Sequence, residues 1–294
     1  MAPLTQDQRE HFVDQGYLVL KNCFSAEDIQ PWIEHAWLRL GVDPDDPTGW
    51  QEKRVHLSTQ QRVDVAEFAP TALEAALDLV GGSDRVQLPW QWGDGFIANL
   101  GVGDDRPWQP PSAEVGGWHK DGDFFRHFLD SPEQGLLTIV LWTEMHHRGG
   151  GTFIAPDSIG VVARYLAEHP EGVLPTEIDT NRLIHECDDF VELTGNVGDV
   201  VLMHPYMLHA TSQNVIQHGR MITNPPIALR EPMRFDRPDP ADFSPVELAV
   251  LRGLGVDSYT FHRTGEREAV VPRRIREQQV REQAEAARLA GQQG

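Results

Sequence analysis

The chain has 294 residues, 40% of them hydrophobic, and it carries a formal net charge of −20. This length is enough for one large domain with a sizeable core. The acidity argues against nucleic acid and anionic membranes as main partners, because both bind proteins through basic surfaces.

Two observations lead us to expect a cytoplasmic protein. Cys23 and Cys187 are too few for a disulfide framework, so free thiols are expected. Residues 1–10 are polar, unlike a signal peptide, and no apolar run reaches the roughly 18 residues of a membrane span.

The first part of the chain predicts helices around one short strand. A capping box over residues 5–8 opens a helix that ends at Gly16, and residues 17–20 form a strand. Ser25 caps a second helix with an apolar stripe, and residues 73–80 form a third helix. The polar residues between the second and third helices predict turns.

From about residue 86 the pattern changes to short apolar segments separated by Gly and Pro, which is typical of an all-β barrel or sandwich. We therefore expect a mainly β fold with flanking helices. The predicted strands cover residues 96–100, 136–145, 151–155, 190–193, 200–209 and 220–228, with short helices over residues 165–169 and 245–254.

We expect one domain over residues 1–272, with its β-barrel core at about residues 86–230. Residues 273–294 form a separate charged C-terminal helix or tail, rich in Arg, Glu, Gln and Ala. This helix is predicted to be exposed and is a candidate for a homo-oligomer contact.

His119 and Asp121 are the first candidate metal ligands. They are two residues apart, so in a strand both side chains would leave the same face. Open iron(II) sites use two histidines and one carboxylate on one face. Alone the pair is a weak signal, because a histidine beside a carboxylate is more often an ordinary hydrogen-bonded pair.

The second histidine is expected in the strand-like run that follows Gly198. His204 and His209 would face opposite sides of a regular strand, so only one of them can be a ligand. His209 is favoured, because Thr211 follows it on the same face and a predicted hairpin brings Arg220 alongside. A guanidinium with a neighbouring hydroxyl could anchor one carboxylate of a small 2-oxo dicarboxylate whose other end reaches the metal.

These residues resemble the phytanoyl-CoA dioxygenase family of iron(II)- and 2-oxoglutarate-dependent oxygenases. The similarity extends in patches over about residues 5–230 and is best over residues 198–220, where Arg220 follows His209 by eleven residues. It implies a double-stranded β-helix, which is a jelly-roll or cupin-like barrel. The resemblance also implies residue roles: iron(II) ligation by His119, Asp121 and His209, 2-oxoglutarate binding by Arg220 with Thr211, and a place near the cosubstrate for Trp142 and Asn99.

The implied reaction uses O₂ as oxidant, decarboxylates 2-oxoglutarate to succinate and oxidises a small organic molecule. Asp121 favours hydroxylation over halogenation, because halogenating relatives have a small residue there. The loop over residues 122–128 should overhang the metal, with Phe124 and Arg126 as candidate substrate contacts, although a rim loop that packs on its own barrel is an equal alternative. No feature of the sequence selects a particular substrate.

Two other functions remain open at this point. The same barrel could hold zinc or another non-redox ion for hydrolysis or isomerisation, in which case Arg220 and Thr211 would have no cosubstrate to bind. Alternatively, the chain could be a binding protein of the same fold without turnover.

Overall fold

The structure, a computed structural model, describes residues 4–291, and it consists mostly of β-sheet with flanking helices, as the sequence predicts. Residues 1–3 of the predicted domain and residues 292–294 of the predicted C-terminal helix or tail lie outside the described residues. The strands are β1 (Tyr17–Leu20), β2 (Arg54–His56), β3 (Arg62–Asp64), β4 (Gln91–Gly93), β5 (Ile97–Asn99), β6 (Leu137–Leu141), β7 (Thr152–Ala155), β8 (Val191–Leu193), β9 (Val200–Met203), β10 (Leu208–Thr211) and β11 (Arg220–Thr223). The α-helices are α1 (Gln6–Gln15), α2 (Ala26–Leu40), α3 (Val65–Phe68), α4 (Pro70–Val80), α5 (Ser158–Ala167), α6 (Thr180–Ile184), α7 (Pro245–Leu254) and α8 (Arg273–Gly291).

Two sheets carry the architecture. The larger has six antiparallel strands in the order β1-β9-β6-β11-β5-β2, and the smaller has the order β10-β7-β8. Alternate side chains of both sheets, such as Ile139, Ile154 and Ile222, meet in one apolar cluster. The two sheets therefore face each other across an interior, and residues that alternate with this cluster point outward.

The outward face of the larger sheet is covered by the N-terminal part of the chain. Trp142 packs there against Phe24 and Trp32, with ring centroids 5.1 and 5.4 Å apart. Helix α2, which carries Trp32, begins with a capping box at Ser25, and α1 begins with another at Thr5. Gly16 ends α1 in the left-handed conformation at φ 70°, which a glycine adopts without strain.

Several predicted elements have different bounds in the structure. Residues 200–209 do not form one strand, because β9 ends at Met203, a turn follows, and β10 then starts in the other sheet. The helix expected at residues 165–169 begins at Ser158 instead. Strand β2 lies in a stretch predicted to be turns, where polar residues masked its short alternation.

The C-terminal helix α8 packs on its own chain rather than standing free. Its Glu285 is buried and lies 2.7 Å from the Nε of Arg39 in α2, and Arg281 pairs with Glu52 at 2.5 Å. A homo-oligomer contact through other faces of α8 stays a prediction. None of the helices in residues 4–291 has the length and apolar character that a bilayer span requires.

Candidate metal centre and anion site

A backbone bridge brings two of the predicted ligands side by side. His119 and His209 lie opposite each other in an isolated antiparallel bridge, with N–H···O distances of 2.9 and 3.0 Å. The side chains of a directly opposed pair leave the same face, and the two ring centroids are 4.3 Å apart. The expected strand at residues 118–121 is thus reduced to one bridge, which still sets the geometry.

Asp121 completes a compact group of three. Its Oδ1 lies 3.5 Å from Nε2 of His119 and 3.6 Å from Nε2 of His209. One potential ligand atom from each residue lies within 4.8 Å of the other two. The second carboxylate oxygen, Oδ2, accepts a hydrogen bond of 2.7 Å from Nδ2 of Asn224, so the carboxylate is held with Oδ1 toward the imidazoles.

The tautomers of the two histidines fit a metal ion. Nδ1 of His119 lies 2.9 Å from the Gly117 carbonyl oxygen, and Nδ1 of His209 lies 3.0 Å from that of Met207. A carbonyl only accepts hydrogen bonds, so each Nδ1 carries a proton, and Nε2 is the ring nitrogen that faces Asp121 and offers its lone pair when the ring is neutral. Two lone pairs and a carboxylate directed at one place repel each other unless a cation lies between them. The donor set therefore fits a divalent metal.

The charge states agree with this arrangement. Burial raises the pKa of Asp121, but the adjacent His209 and His119 outweigh it and hold that pKa well below its ordinary value. Burial lowers the pKa of His119, yet the contacts with Asp121 leave a net upward shift. Asp121 is consequently a carboxylate at neutral pH and can act as an anionic ligand.

His204, the alternative to His209, lies away from this group. Its ring is fully buried, with Nε2 3.2 Å from the Val246 carbonyl oxygen and Nδ1 accepting from the backbone N–H of Tyr206. Burial lowers its pKa to about 3, so the ring is neutral. Both nitrogens have protein partners, and neither is directed at Asp121.

Arg220 is a buried cation in the interior between the sheets. It is 1% exposed, and its Nε donates to the Gly150 carbonyl oxygen at 2.8 Å, as does Nδ2 of Asn99 at 3.3 Å. Within residues 4–291 no ion pair joins its guanidinium to a carboxylate. Burial, and then the charge of Arg54, lower its pKa to about 9. Because a buried charge without a counterion is costly, the position suits an anionic ligand.

Thr211 contacts a different arginine from the one that the sequence suggested. Its Oγ1 accepts from Nη1 of Arg54 at 3.1 Å. The sequence analysis missed Arg54, which is directly opposite Asn99 on β5, while Asn99 in turn is opposite Arg220 on β11. A strand prediction over residues 54–56 would have found it, since Arg54 and His56 then share a face.

Three other predicted site residues, Trp142, Arg126 and Phe124, have different surroundings in the structure from those expected. Trp142 lies on the outward face of the larger sheet, where its indole N–H donates to Thr223 at 2.8 Å, because it follows the inward-facing Leu141. This position does not support the expected place near the cosubstrate, which stays a prediction. Arg126 pairs with Glu268 at 2.8 Å, so its charge is already satisfied.

The loop of Phe124 is fastened rather than overhanging freely. The Phe124 carbonyl accepts from Val270, Phe125 forms a bridge to Ala269, and His127 forms one to Val173. The Phe124 ring packs edge-on against Phe125 at 4.9 Å. This geometry favours the alternative of a rim loop that packs on its own barrel.

Comparisons with known proteins agree with the motif. The family model described as phytanoyl-CoA dioxygenase matches residues 12–222. A search of curated proteins found no match. Similar solved structures include EctD from S. alaskensis with 2-oxoglutarate and 5-hydroxyectoine, at 20% identity over 77% of each chain and a TM-score of 0.42.

Two further solved structures are similar to this chain at lower sequence identity. HygX from Streptomyces hygroscopicus, with nickel and 2-oxoglutarate bound, is 16% identical over 77% of this chain and 88% of its own, with a TM-score of 0.43. SnoK, a non-haem alpha-ketoglutarate-dependent carbocyclase from nogalamycin biosynthesis, is 15% identical over 78% and 87%, with a TM-score of 0.48.

Proposed function

This chain belongs to the phytanoyl-CoA dioxygenase family of iron(II)- and 2-oxoglutarate-dependent oxygenases, and we propose that it hydroxylates a small organic molecule while 2-oxoglutarate is decarboxylated to succinate. The observation that carries the proposal is the convergence of His119, Asp121 and His209, with both Nε2 lone pairs turned toward one carboxylate oxygen. A site of two imidazoles and one carboxylate is the typical iron(II) set of such oxygenases.

The three side chains are proposed as the metal ligands. His119 and His209 would bind through Nε2, because their Nδ1 protons are engaged by backbone carbonyls, and Asp121 would bind through Oδ1. When bound, iron(II) supplies the redox chemistry with O₂ that a protein side chain cannot supply. The protein's part is to hold the ligands on one side, so that the other side stays open to cosubstrate.

Arg220 is proposed to bind the carboxylate of 2-oxoglutarate that is remote from the metal. Its guanidinium lacks an acidic partner in the described part of the chain, and Asn99 stands beside it on the shared Gly150 carbonyl. The Thr211 hydroxyl accepts from Arg54, which leaves its own proton free to donate to a carboxylate. In a hydrolase or isomerase that needs only the metal, Arg220 and Thr211 would have no cosubstrate to bind.

We also propose that the two facing sheets form a double-stranded β-helix and that residues 1–272 fold as one domain. The shared apolar cluster between the sheets and the antiparallel order of the larger sheet support this.

The experiment is an assay of succinate formed from 2-oxoglutarate by the protein with iron(II) and O₂, which such oxygenases release even without substrate. His119→Ala and Asp121→Ala should lose both retained iron and succinate formation. His185→Ala, an exposed histidine, is the matched control and should keep both. Iron retained by both ligand variants would contradict the ligand assignment, and no succinate from the wild-type protein would contradict the oxygenase assignment.

Arg220→Ala tests the anchor separately. It should raise the 2-oxoglutarate requirement steeply, because loss of a buried charge-assisted pair costs about 2–5 kcal/mol. Iron binding should be kept, since Arg220 does not contact the ligands. An unchanged 2-oxoglutarate requirement would remove Arg220 from this role.

A further inference from the structure

We propose that Arg54 binds an acid group, a carboxylate or a phosphate, on the molecule that the enzyme oxidises. This inference rests on the proposed function, because it assigns to the primary substrate a cation that iron and 2-oxoglutarate leave without a partner. Arg54 would then determine specificity for anionic substrates.

The position of Arg54 follows from strand register. Arg54, Asn99 and Arg220 are opposite one another on β2, β5 and β11, so their side chains share the inward face. The backbones of Arg54 and Arg220 are two strand spacings apart, which is about 10 Å. The two side chains therefore extend from separate backbone positions, and they have different partners: the Gly150 carbonyl for Arg220 and the Thr211 hydroxyl for Arg54.

Arg54 extends from the larger sheet toward the smaller one. Its Nη1 bonds the hydroxyl of Thr211, which is two residues beyond His209 on the same face of β10. On the larger sheet, Arg54 is two strands from Arg220, with Asn99 between them. Arg54 is thus close to the metal ligands and to the proposed cosubstrate anchor.

The neighbours of Arg54 are neutralised, whereas Arg54 is not. Glu52 pairs with Arg281, and Lys53 pairs with Asp104. For Arg54 the described residues provide only the neutral Thr211 hydroxyl. The Arg54 side chain is exposed, so an anionic ligand can reach its guanidinium without displacing an acid.

The charges of 2-oxoglutarate are matched without Arg54, so binding the cosubstrate does not require this arginine. 2-Oxoglutarate has two carboxylates, and the proposed function assigns one to Arg220 and the other to the metal. Arg54 would remain as the unpaired cation at the site of a chain whose net charge is −20. Because such an acidic protein repels anions at long range, an anionic substrate needs a local cation of this kind.

A cavity beside Arg54 has room for the substrate. It has a volume of about 700 Å³ and is lined by Arg54, Asn99, Thr211, Gly117, Trp108 and Phe153. Cavities of roughly 300–1,000 Å³ hold small organic ligands. Gly117 and Thr211 form part of the wall, and each is two residues along the chain from a proposed metal ligand, so the cavity adjoins the metal centre. Trp108 and Phe153 offer apolar surface for the body of the molecule.

The test uses full-length protein loaded with nickel, which prevents turnover, and calorimetric titration. Wild type, Arg54→Gln, Arg220→Gln and the exposed control Arg62→Gln are first titrated with 2-oxoglutarate. With 2-oxoglutarate saturating, each is then titrated with phenylacetate and phenyl phosphate, and with phenylacetamide as the uncharged probe. The two anions distinguish a carboxylate from a phosphate preference.

We expect wild type and Arg62→Gln to bind at least one of the anions ten or more times better than phenylacetamide. Arg54→Gln should lose this preference and weaken 2-oxoglutarate binding much less than Arg220→Gln does, because Arg54 reaches the cosubstrate site only through the Thr211 hydroxyl. The inference is overturned if Arg54→Gln weakens 2-oxoglutarate as strongly as Arg220→Gln does, if it leaves anion binding unchanged, or if wild type binds neither anion. Failure of wild type to bind nickel or 2-oxoglutarate would overturn the proposed function, and it is seen before any second anion is added.

Discussion

At the scale of single residues, Asn224 fixes the direction of the carboxylate that joins the two histidines. Its Nδ2 donates to Oδ2 of Asp121 at 2.7 Å, which leaves Oδ1 toward the imidazoles. Groups that orient a metal ligand contribute about 10–100-fold to metal affinity. We expect Asn224→Ala to weaken nickel or iron binding by that factor, as measured by competition with a chelator.

Asn224→Asp provides the matched comparison, because it keeps the shape and loses the donor. It should weaken metal binding at least as much as the alanine variant, since a second carboxylate would face Oδ2 directly. Equal metal affinity in wild type and both variants would show that Asp121 needs no such support.

His204 gives the stability of the protein a dependence on pH. Burial lowers its pKa to about 3, whereas the unfolded chain takes up this proton near pH 6.5. A depressed pKa means that the contribution is complete above pH 6.5 and is lost as the pH falls. Between pH 7 and pH 5 the loss amounts to about 2 kcal/mol.

Replacement of His204 by Asn should remove this part of the pH dependence. Urea unfolding of wild type and variant at the two pH values measures it, and other buried groups cancel in the comparison. If both proteins lose the same free energy of unfolding between pH 7 and pH 5, His204 does not carry the effect.

The side chains that meet at the site differ in how far the sequence could reveal them. His119, Asp121, His209 and Arg220 stand out because residue type and spacing together are informative. The face that Trp142 occupies could not be read from residue type and spacing, because it depends on the strand alternation that leads from the inward-facing Leu141 to the outward side.

Arg54 shows the other limit at this scale. It comes from a strand of three residues, and its distance from the other site residues along the chain gives no spacing to recognise. Only the pairing of β2 with β5 places it beside Asn99.

At the scale of elements, one buried ion pair is among the contacts that hold α8 against α2. Arg39 and Glu285 are 4% and 6% exposed, and their Nε and Oε1 atoms are 2.7 Å apart. Removal of one partner of a buried pair costs about 3–5 kcal/mol, because the other charge stays buried alone. The only other acid recorded near Arg39 in the described chain is Asp94, at 3.6 Å. Glu285→Ala should therefore release α8 from α2.

Hydrogen exchange of the α8 amides measures this release, which should appear as faster exchange in the helix with the sheets unchanged. Glu282→Ala is the control, because Glu282 lies on the same helix and is exposed. Equal protection of α8 in Glu285→Ala and Glu282→Ala would show that the helix is held by its other contacts.

The ends of elements were less predictable than their presence. The run from residue 200 to residue 209 is mostly apolar, and although Pro205 marks a break in it, nothing in its composition shows that the chain crosses to the other sheet there. The turn is set by tertiary contacts instead: His204 is held by Gly16 and Val246, and Leu208 donates to the Ser158 hydroxyl.

At the scale of the whole molecule, the residues proposed to bind the metal and 2-oxoglutarate come from both sheets. His209 lies in the smaller sheet, Arg220 lies in the larger one, and His119 joins the smaller sheet through its bridge. The division into helices first and strands afterwards was visible in the sequence, because it follows from hydrophobic periodicity. The strand order could not be read, since it depends on pairings between residues as distant as Tyr17 and Met203.

Binding of metal and of 2-oxoglutarate should therefore stabilise the whole fold in two steps. A ligand at 100 times its dissociation constant adds about 2.7 kcal/mol, which for a chain of this size raises the melting temperature on the order of 5 °C. Nickel alone should give the first increment, and 2-oxoglutarate should add the second only when nickel is present, because one end of it is held by the metal.

The variants assign each increment to its residues in a thermal melt monitored by circular dichroism. Arg220→Ala should keep the nickel increment and lose the 2-oxoglutarate increment, whereas His119→Ala should lose both. A 2-oxoglutarate increment that survives in Arg220→Ala, or that appears in wild type without nickel, would mean that the cosubstrate does not bridge the metal centre and the larger sheet.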